Sequence, residues 1–369
     1  MKVIHIFRGS VNLENANGVN VVLDAYGRHF TENDLEFLFI GISKNYKCET
    51  KVNRGSYSVN VTPNVRTIID KLTTLIEKDT IFVHLHSVWN LDNIRIMRFC
   101  LENAIPYAVT VHSGLHPDRV ESGKKYFKSV FSLLQDYYFG KARFIHALTK
   151  EEATHLRNRG YKNELIVIPN GQDKNDNFVV KSKLFSNCKI TIGYLGRLSI
   201  EKNLSELIYS LSIFKSKNDD VKIDLVIGGP KTDEYFKLQK LVNELGLSDD
   251  VRFLGLIKDK DKDSFFKSID FYVHPAKSDV VSIAVIEALH QGIPSIVSRG
   301  SDVSYFYDMS GLIMVEPNRY DIAQSIPKSI SDSQYSLMCR DAKTIANNNF
   351  CWEKNVLRLI EKYREYEQI

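Results

Sequence analysis

The run Gly193-Tyr194-Leu195-Gly196-Arg197-Leu198-Ser199-Ile200-Glu201-Lys202-Asn203-Leu204 brings two cations, Arg197 and Lys202, to a point where a β-rich segment gives way to a helical one. A strand delivering Gly196 and Arg197 at its carboxyl end, with a helix starting near Asn203, sets both charges beside a helix N-terminus. Such a pairing suits a diphosphate whose charge must be neutralised as it leaves. Spacing alone would equally allow a solvated Arg and Lys on a surface loop. A second run, His274-Pro275-Ala276-Lys277-Ser278-Asp279 continuing to Glu287-Ala288-Leu289, carries two carboxylates eight positions apart. Asp279 is expected in a loop after a strand, and Glu287 on a helix beginning around Ser282. Together they could hold two sets of sugar hydroxyls. Glu287 interrupts an otherwise apolar stretch, where a charge needs a partner, so a structural ion pair is the competing reading. A third candidate is His112, in Val109-Thr110-Val111-His112-Ser113-Gly114-Leu115-His116-Pro117. His84, His86, His116 and His146 also fall near predicted strand ends, where histidines most often serve as plain hydrogen-bonding or surface residues.

These side chains need elements to hold them. Short β-rich apolar runs alternate with helical patterns along the whole chain. In the first half Val3–Phe7, Leu35–Ile40, Ile81–Leu85, Tyr107–Val111, Arg143–Ala147 and Leu165–Ile168 are the predicted strands, with helices such as Asp92–Asn103 and Glu151–Asn158 between them. In the second half Lys189–Tyr194, Lys222–Ile227, Val251–Leu254, Phe271–His274, Ser295–Ser298 and Leu312–Val315 repeat the alternation. Apolar strands separated by crossover helices imply a parallel sheet covered on both faces. The expected fold class is therefore α/β, with two doubly wound domains and a cleft at the carboxyl ends of their strands. Gly171–Asn187, rich in Asn, Asp, Lys and Ser, reads as a linker. The expected extents are 1–172 for an N-terminal domain, 173–187 for the linker, 188–350 for a C-terminal domain and 351–369 for a terminal helix. In that helix Trp352, Val356, Leu359, Ile360 and Tyr363 share one face.

The motifs together resemble family four of the retaining GT-B glycosyltransferases, the glycosyl transferases group 1. The family pattern of Glu, seven residues, Glu-Ala and a Gly-x-Pro turn is matched by Asp279, Glu287-Ala288 and Gly292-Ile293-Pro294. Pro169-Asn170-Gly171, Gly196-Arg197 with Lys202, Gly228-Gly229-Pro230 and Val251-Arg252-Phe253-Leu254-Gly255 match further motifs in order. The resemblance implies two Rossmann-like domains, with the donor held mainly by the C-terminal one and the last helix returning to the N-terminal one. It implies that Arg197 and Lys202 grip the donor diphosphate, and that Glu287 binds the ribose hydroxyls. Asp279 would contact the transferred sugar, and His112 would touch it near the anomeric centre. Gly18 would lie in a glycine loop near the phosphates. Phe253, Gly255 and Leu256 would seat the base, and Gly196, Ser282 and Ile283 complete the donor-binding set. Where the family has Glu-Gly-Phe, this chain has Asp279-Val280-Val281, a shorter acid without the glycine, which reshapes the sugar pocket. The first loop, Gly9 to Asn20, is long and Asn-rich rather than a plain double glycine.

Composition narrows the alternatives. With 369 residues, 43% hydrophobic and 25% charged, the chain reads as an ordinary globular protein of two domains. The first 170 residues carry 22 Lys/Arg against 17 Asp/Glu, an excess that suits an acidic partner such as a membrane surface or a phosphate-bearing acceptor. Lys124, Lys125 and Lys128 beside Tyr126, Phe127, Val130 and Phe131 could form a basic membrane-facing helix surface, or an ordinary amphipathic helix packed on the first sheet. Nothing has the Lys/Arg density of a nucleic-acid binder. Five scattered cysteines form no disulfide framework or metal knuckle, so a cytoplasmic location is expected. No nucleophile elbow or dinucleotide fingerprint is present, and Arg197 with Lys202 could neutralise a diphosphate without a metal. The expectation is a metal-independent transferase with no cofactor beyond a nucleoside-diphosphate sugar donor. The family resemblance implies an acceptor that is a glycan or lipid-linked hydroxyl in cell-surface polysaccharide synthesis, with peripheral contact at the inner membrane. A GT-B epimerase or phosphorylase, a non-catalytic sugar-nucleotide-binding subunit and a two-domain solute-binding protein are the rival classes.

Overall fold

The computed structural model describes residues 1–9, 18–112, 114–115, 125–173, 189–280, 282–302, 309–327 and 331–366. The chain divides into two compact units, one formed by Met1–Asn170 with Trp352–Ile369 and the other by Gly171–Cys351. Most of the expected linker falls outside the described residues.

The first unit is built on an eight-stranded sheet. Its strands are β1 (Lys2–Arg8), β2 (Phe37–Ile42), β3 (Thr50–Arg54), β4 (Tyr57–Thr62), β5 (Ile81–His86), β6 (Tyr107–Thr110), β7 (Phe144–Ala147) and β8 (Glu164–Val167). They run in the order β3-β4-β2-β1-β5-β6-β7-β8, parallel except for the β3–β4 hairpin. That hairpin is absent from the sequence expectation. Its polar alternation and its place at the sheet edge give it none of the apolar continuity of an internal strand. The order reverses between β1 and β5, the switch point where open α/β sheets leave a crevice at the carboxyl ends of their strands.

The two faces of this sheet differ in chemistry. One carries Ile4, Ile6, Val83, Leu85, Val109 and Ile145, packed into an aliphatic core. Because side chains alternate along a strand and the registers pair His5 with His84, His86 with Thr110, and Thr110 with His146, the other face is a polar row. The helices Gly18–Glu32 and Trp352–Arg364 cover it, Tyr26 meeting Trp352 edge-on at 5.8 Å. The predicted apolar face of the last helix is buried at all five positions, and the helix belongs to the first unit as expected.

The second unit holds a six-stranded parallel sheet of β9 (Lys189–Leu195), β10 (Lys222–Gly228), β11 (Val251–Gly255), β12 (Phe271–His274), β14 (Ser295–Ser298) and β16 (Leu312–Val315). The order is β11-β10-β9-β12-β14-β16, with the switch between β9 and β12. Tyr194, Leu225, Phe271 and Val273 pack on one face; Leu195, Val226, Tyr272 and Val297 pack on the other. Asp279 does not lie in a plain loop. Asp279–Val280 form a two-residue strand, β13, paired in parallel with β15 (Ser301–Asp302), and the Asp279 amide donates to the Gly300 carbonyl at 2.7 Å.

Candidate functional site

The carboxyl ends of β9 and β12 carry the charges picked out by the sequence. Gly196 follows β9, its amide donating to the Gly228 carbonyl at 2.9 Å. The backbones close up here: a Cβ on Gly229 would stand 2.1 Å from the Gly196 carbonyl oxygen, so only glycine fits. Arg197 is exposed, while its carbonyl accepts from the Tyr194 hydroxyl at 2.9 Å. Ile200–Lys202 form a single 3-10 turn, and the helix Leu204–Lys217 starts only after Asn203, which adopts a left-handed φ of 60°. The Asn203 amide donates to the carbonyls of Pro275 (3.1 Å) and Pro317 (2.9 Å), lacing three strand-end loops together. The expected helix start near Asn203 is thus present, with a turn interposed that aims Lys202 inward.

Lys202 is 9% exposed and forms an ion pair with Asp279, whose Oδ2 also accepts from His274 Nε2 at 2.9 Å. Burial pushes the Asp279 carboxyl up, but the His274 hydrogen bond and the Lys202 charge outweigh it and hold the group well below the usual carboxylate range. His274 is itself held below its ordinary value, by burial first and by Lys202 next, against the Asp279 bond that raises it. A neutral His274 therefore donates Nε2–H to an ionised Asp279. Arg197 and Lys202 differ accordingly: one faces solvent, and the other is buried and paired with the carboxylate assigned to the sugar.

Glu287 lies on the helix Ile283–His290 and pairs with Lys262 of the neighbouring helix at 2.8 Å. This is the ion pair that its apolar surroundings require. Ser282 is the N-cap of that helix, without a side-chain capping bond, and Ile283 is its first residue. Phe253 packs edge-on against Tyr235 at 5.2 Å, Gly255 has φ +73°, and Leu256 is exposed. Gly18 opens the first helix of the other unit, and the loop before it lies outside the described residues. His274, Lys262 and Asn203 were not selected from the sequence. His274 closes a strand five residues before Asp279, a spacing that could have suggested it, whereas the Lys262 pairing has no local signal.

His112 belongs to the first unit. It follows β6 with a left-handed φ of 47°, and Ser87 and Trp89 after β5 share that conformation. Positive φ at three non-glycine residues beside one switch point is a concentration of strain of the kind found at functional sites. Trp89 Nε1 donates to the Gly114 carbonyl at 2.7 Å, joining the two loops. His112 Nε2 meets His86 Nδ1 at 3.0 Å. His84, His86 and His146, expected to be ordinary strand-end histidines, are wholly buried with His5. His116 and Lys124 lie outside the described residues; Phe131 packs into the core, meeting Trp89 at 6.0 Å.

Residues 175–348, most of the second unit, match the family model Glycosyl transferases group 1. Similar curated proteins include mannosylfructose-phosphate synthase of Agrobacterium fabrum, 28% identical over 213 residues, covering 53% of this chain and 47% of the relative. O-antigen chain mannosyltransferase B of Escherichia coli is 22% identical over 172 residues, 46% of this chain and 45% of the relative. The chain spans about half the length of the curated relatives it matches. Among solved structures, sucrose-phosphate synthase of Thermosynechococcus elongatus has TM-score 0.79 at 13% identity, covering 100% of both chains. Anabaena HepE in complex with UDP has TM-score 0.77 at 16% identity, covering 99% of this chain and 100% of that one. The fold is accordingly that of the GT-B glycosyltransferases, with two Rossmann-like α/β domains.

Proposed function

We propose that this chain is a glycosyltransferase that moves a sugar, with retention, from a nucleoside-diphosphate sugar to a hydroxyl of a glycan or lipid-linked acceptor. The observation that carries the reading is the buried Lys202–Asp279–His274 cluster at the β9/β12 switch point, within the segment matched to the family. Arg197 and Lys202 neutralise the departing diphosphate, a preorganised charge contact that gains strength where water is scarce. Asp279, kept ionised, accepts hydroxyls of the transferred sugar, and Glu287 those of the ribose. No metal or resident cofactor is invoked. The UDP complex named for the Anabaena structure supports a nucleotide donor, and the O-antigen relative supports a role in cell-surface polysaccharide synthesis. Leu133, Leu134 and Tyr137, exposed on the helix Lys125–Phe139, support peripheral contact with the cytoplasmic face of the membrane.

A thermal-shift screen against nucleotide sugars tests the donor without knowledge of the acceptor, because a ligand that binds the native state raises its melting temperature. No stabilisation by any nucleotide or nucleotide sugar would sink the reading. With the donor in hand, transfer should survive excess chelator and NMR of the product should show the donor's anomeric configuration. Loss of activity restored by Mg²⁺, or an inverted product, would refute the metal-free retaining mechanism.

A further inference from the structure

The polar face of the first sheet holds an unbroken hydrogen-bonded chain that ends at His112. His146 Nε2 lies 2.7 Å from the Ile168 carbonyl oxygen, and His146 Nδ1 lies 3.0 Å from Thr110 Oγ1. Thr110 Oγ1 meets His84 Nε2 at 2.7 Å, and His84 Nδ1 meets the Tyr363 hydroxyl. That hydroxyl meets His5 Nε2 at 3.2 Å, His5 Nδ1 meets His86 Nε2 at 2.9 Å, and His86 Nδ1 meets His112 Nε2 at 3.0 Å. No group of three His, Cys, Asp or Glu among the described residues could hold a metal ion, so these rings serve one another.

The Ile168 carbonyl gives the chain a direction. A carbonyl only accepts, so His146 carries its proton on Nε2, and a neutral imidazole then has a bare Nδ1. Thr110 must donate to that Nδ1 and accept from His84 Nε2–H. The Tyr363 hydroxyl must donate to His84 Nδ1 and accept from His5 Nε2–H. The same logic puts the protons of His86 and His112 on Nε2 and leaves His112 Nδ1 as the ring's acceptor. Burial, together with the neighbouring rings, holds His5, His84 and His86 well below the ordinary histidine range, and burial lowers His112 to about 3 and His146 to about 4. The chain stops at a carbonyl with no onward proton acceptor, so it sets tautomers and does not carry protons out.

We propose that Tyr363 and Thr110 are positioning residues for His112: they are the two hydroxyl links through which the Ile168 carbonyl fixes His112 as the Nε2–H tautomer, with Nδ1 turned into a hydrogen-bond acceptor beside the switch point of the first sheet. That this acceptor meets a substrate hydroxyl rests on the proposed transferase function; the tautomer does not. Reversing the chain would leave the Ile168 carbonyl without its donor, a bias of roughly ten- to hundredfold toward the stated direction.

Imidazole ¹⁵N NMR of the histidine-labelled protein tests this without substrate, with His112→Gln identifying the ring by its missing signals. The wild type should show a protonated His112 Nε2 and a bare Nδ1. Tyr363→Phe removes the acceptor for His5 Nε2–H, and a buried orphan donor is avoided more strongly than an orphan acceptor. The segment His5–His86–His112 should therefore reverse, with His112 Nδ1–H rising to about half or more of the population. Thr110→Val should have the same effect, whereas Thr110→Ser, which keeps the hydroxyl, should retain the wild-type tautomer. The Thr110 pair decides the matter if Tyr363→Phe does not fold. A wild-type His112 protonated at Nδ1, or a tautomer unchanged in the folded Tyr363→Phe or Thr110→Val protein, would overturn the proposal. Failure of the transferase reading would leave these spectra untouched.

Discussion

The two units solve the burial of polar groups at a switch point in opposite ways. In the second unit, Asp279 stays ionised because Lys202 and a His274 N–H meet its carboxylate. In the first, five histidines stay neutral, and both ring nitrogens of His5, His84, His86 and His146 are matched by another ring, a hydroxyl or a carbonyl, with His112 Nδ1 at the end of the row. The charged cluster is open to exchange: a diphosphate or a sugar hydroxyl can take over part of an ion pair. The neutral chain cannot exchange partners one at a time, because reversing one bond reverses every bond behind it. A site for an anionic leaving group and a frame for holding one ring in one state thus require different chemistry.

Acid should separate the two networks most strongly. The histidines titrate below their ordinary value of 6.5 in the folded protein, so the unfolded chain binds more protons below that pH. Stability is then fully present above pH 6.5 and falls as the pH drops, by roughly 1.4 kcal/mol per pH unit for each histidine. Five such groups exhaust a typical domain stability of about 5–15 kcal/mol within a few pH units. The contribution of Asp279 has the opposite origin, a depressed carboxylate, and fades only as pH falls below its ordinary value of 3.8. Denaturant melts at a series of pH values should therefore lose stability first between about pH 6.5 and 4. A flat profile across that range would end the comparison.

Lys202→Ala should lower turnover by at least ~10²-fold, as expected on losing a preorganised charge contact. It should also destabilise the second unit, by about 3–5 kcal/mol in the fully buried limit, because Asp279 is left without its cation. Arg197→Ala, at an exposed position, should match the loss of turnover with little change in melting temperature. Paired kinetics and calorimetric melts on the two variants check this. Equal stability effects would mean that burial does not distinguish the two cations, and wild-type rates in both would remove the diphosphate assignment.

A finer division falls between the two carboxylates. Glu287→Gln should weaken binding of the bare nucleoside diphosphate by about 1–3 kcal/mol, the cost of losing a charged hydrogen bond. Asp279→Asn should leave that binding near wild type and impair transfer. Isothermal titration with the nucleotide lacking its sugar reads both. If Glu287→Gln changes only the melting temperature, its pair with Lys262 is structural.

Much of this arrangement is legible in local sequence. Apolar strands and crossover helices specify two parallel sheets, since only strands covered on both faces are apolar throughout. Arg197, Lys202, Asp279 and Glu287 stand out because charge at a strand end or within an apolar helix needs a reason. The apolar face of Trp352–Arg364 likewise announces a buried helix, and it is buried. What the chain could not disclose are partnerships between residues far apart in sequence. Lys202 meets Asp279 across 77 positions, and Tyr363 meets His84 across 279 and His5 across 358. Read singly, His5, His84, His86 and His146 are four unremarkable histidines on or beside predicted strands. Only the parallel register puts them on one face, and only the returning helix inserts the hydroxyl that links them. Local propensity and periodicity are properties of neighbours along the chain, whereas the direction of a hydrogen-bonded row depends on a single terminal acceptor, Ile168, that folding alone brings to its end.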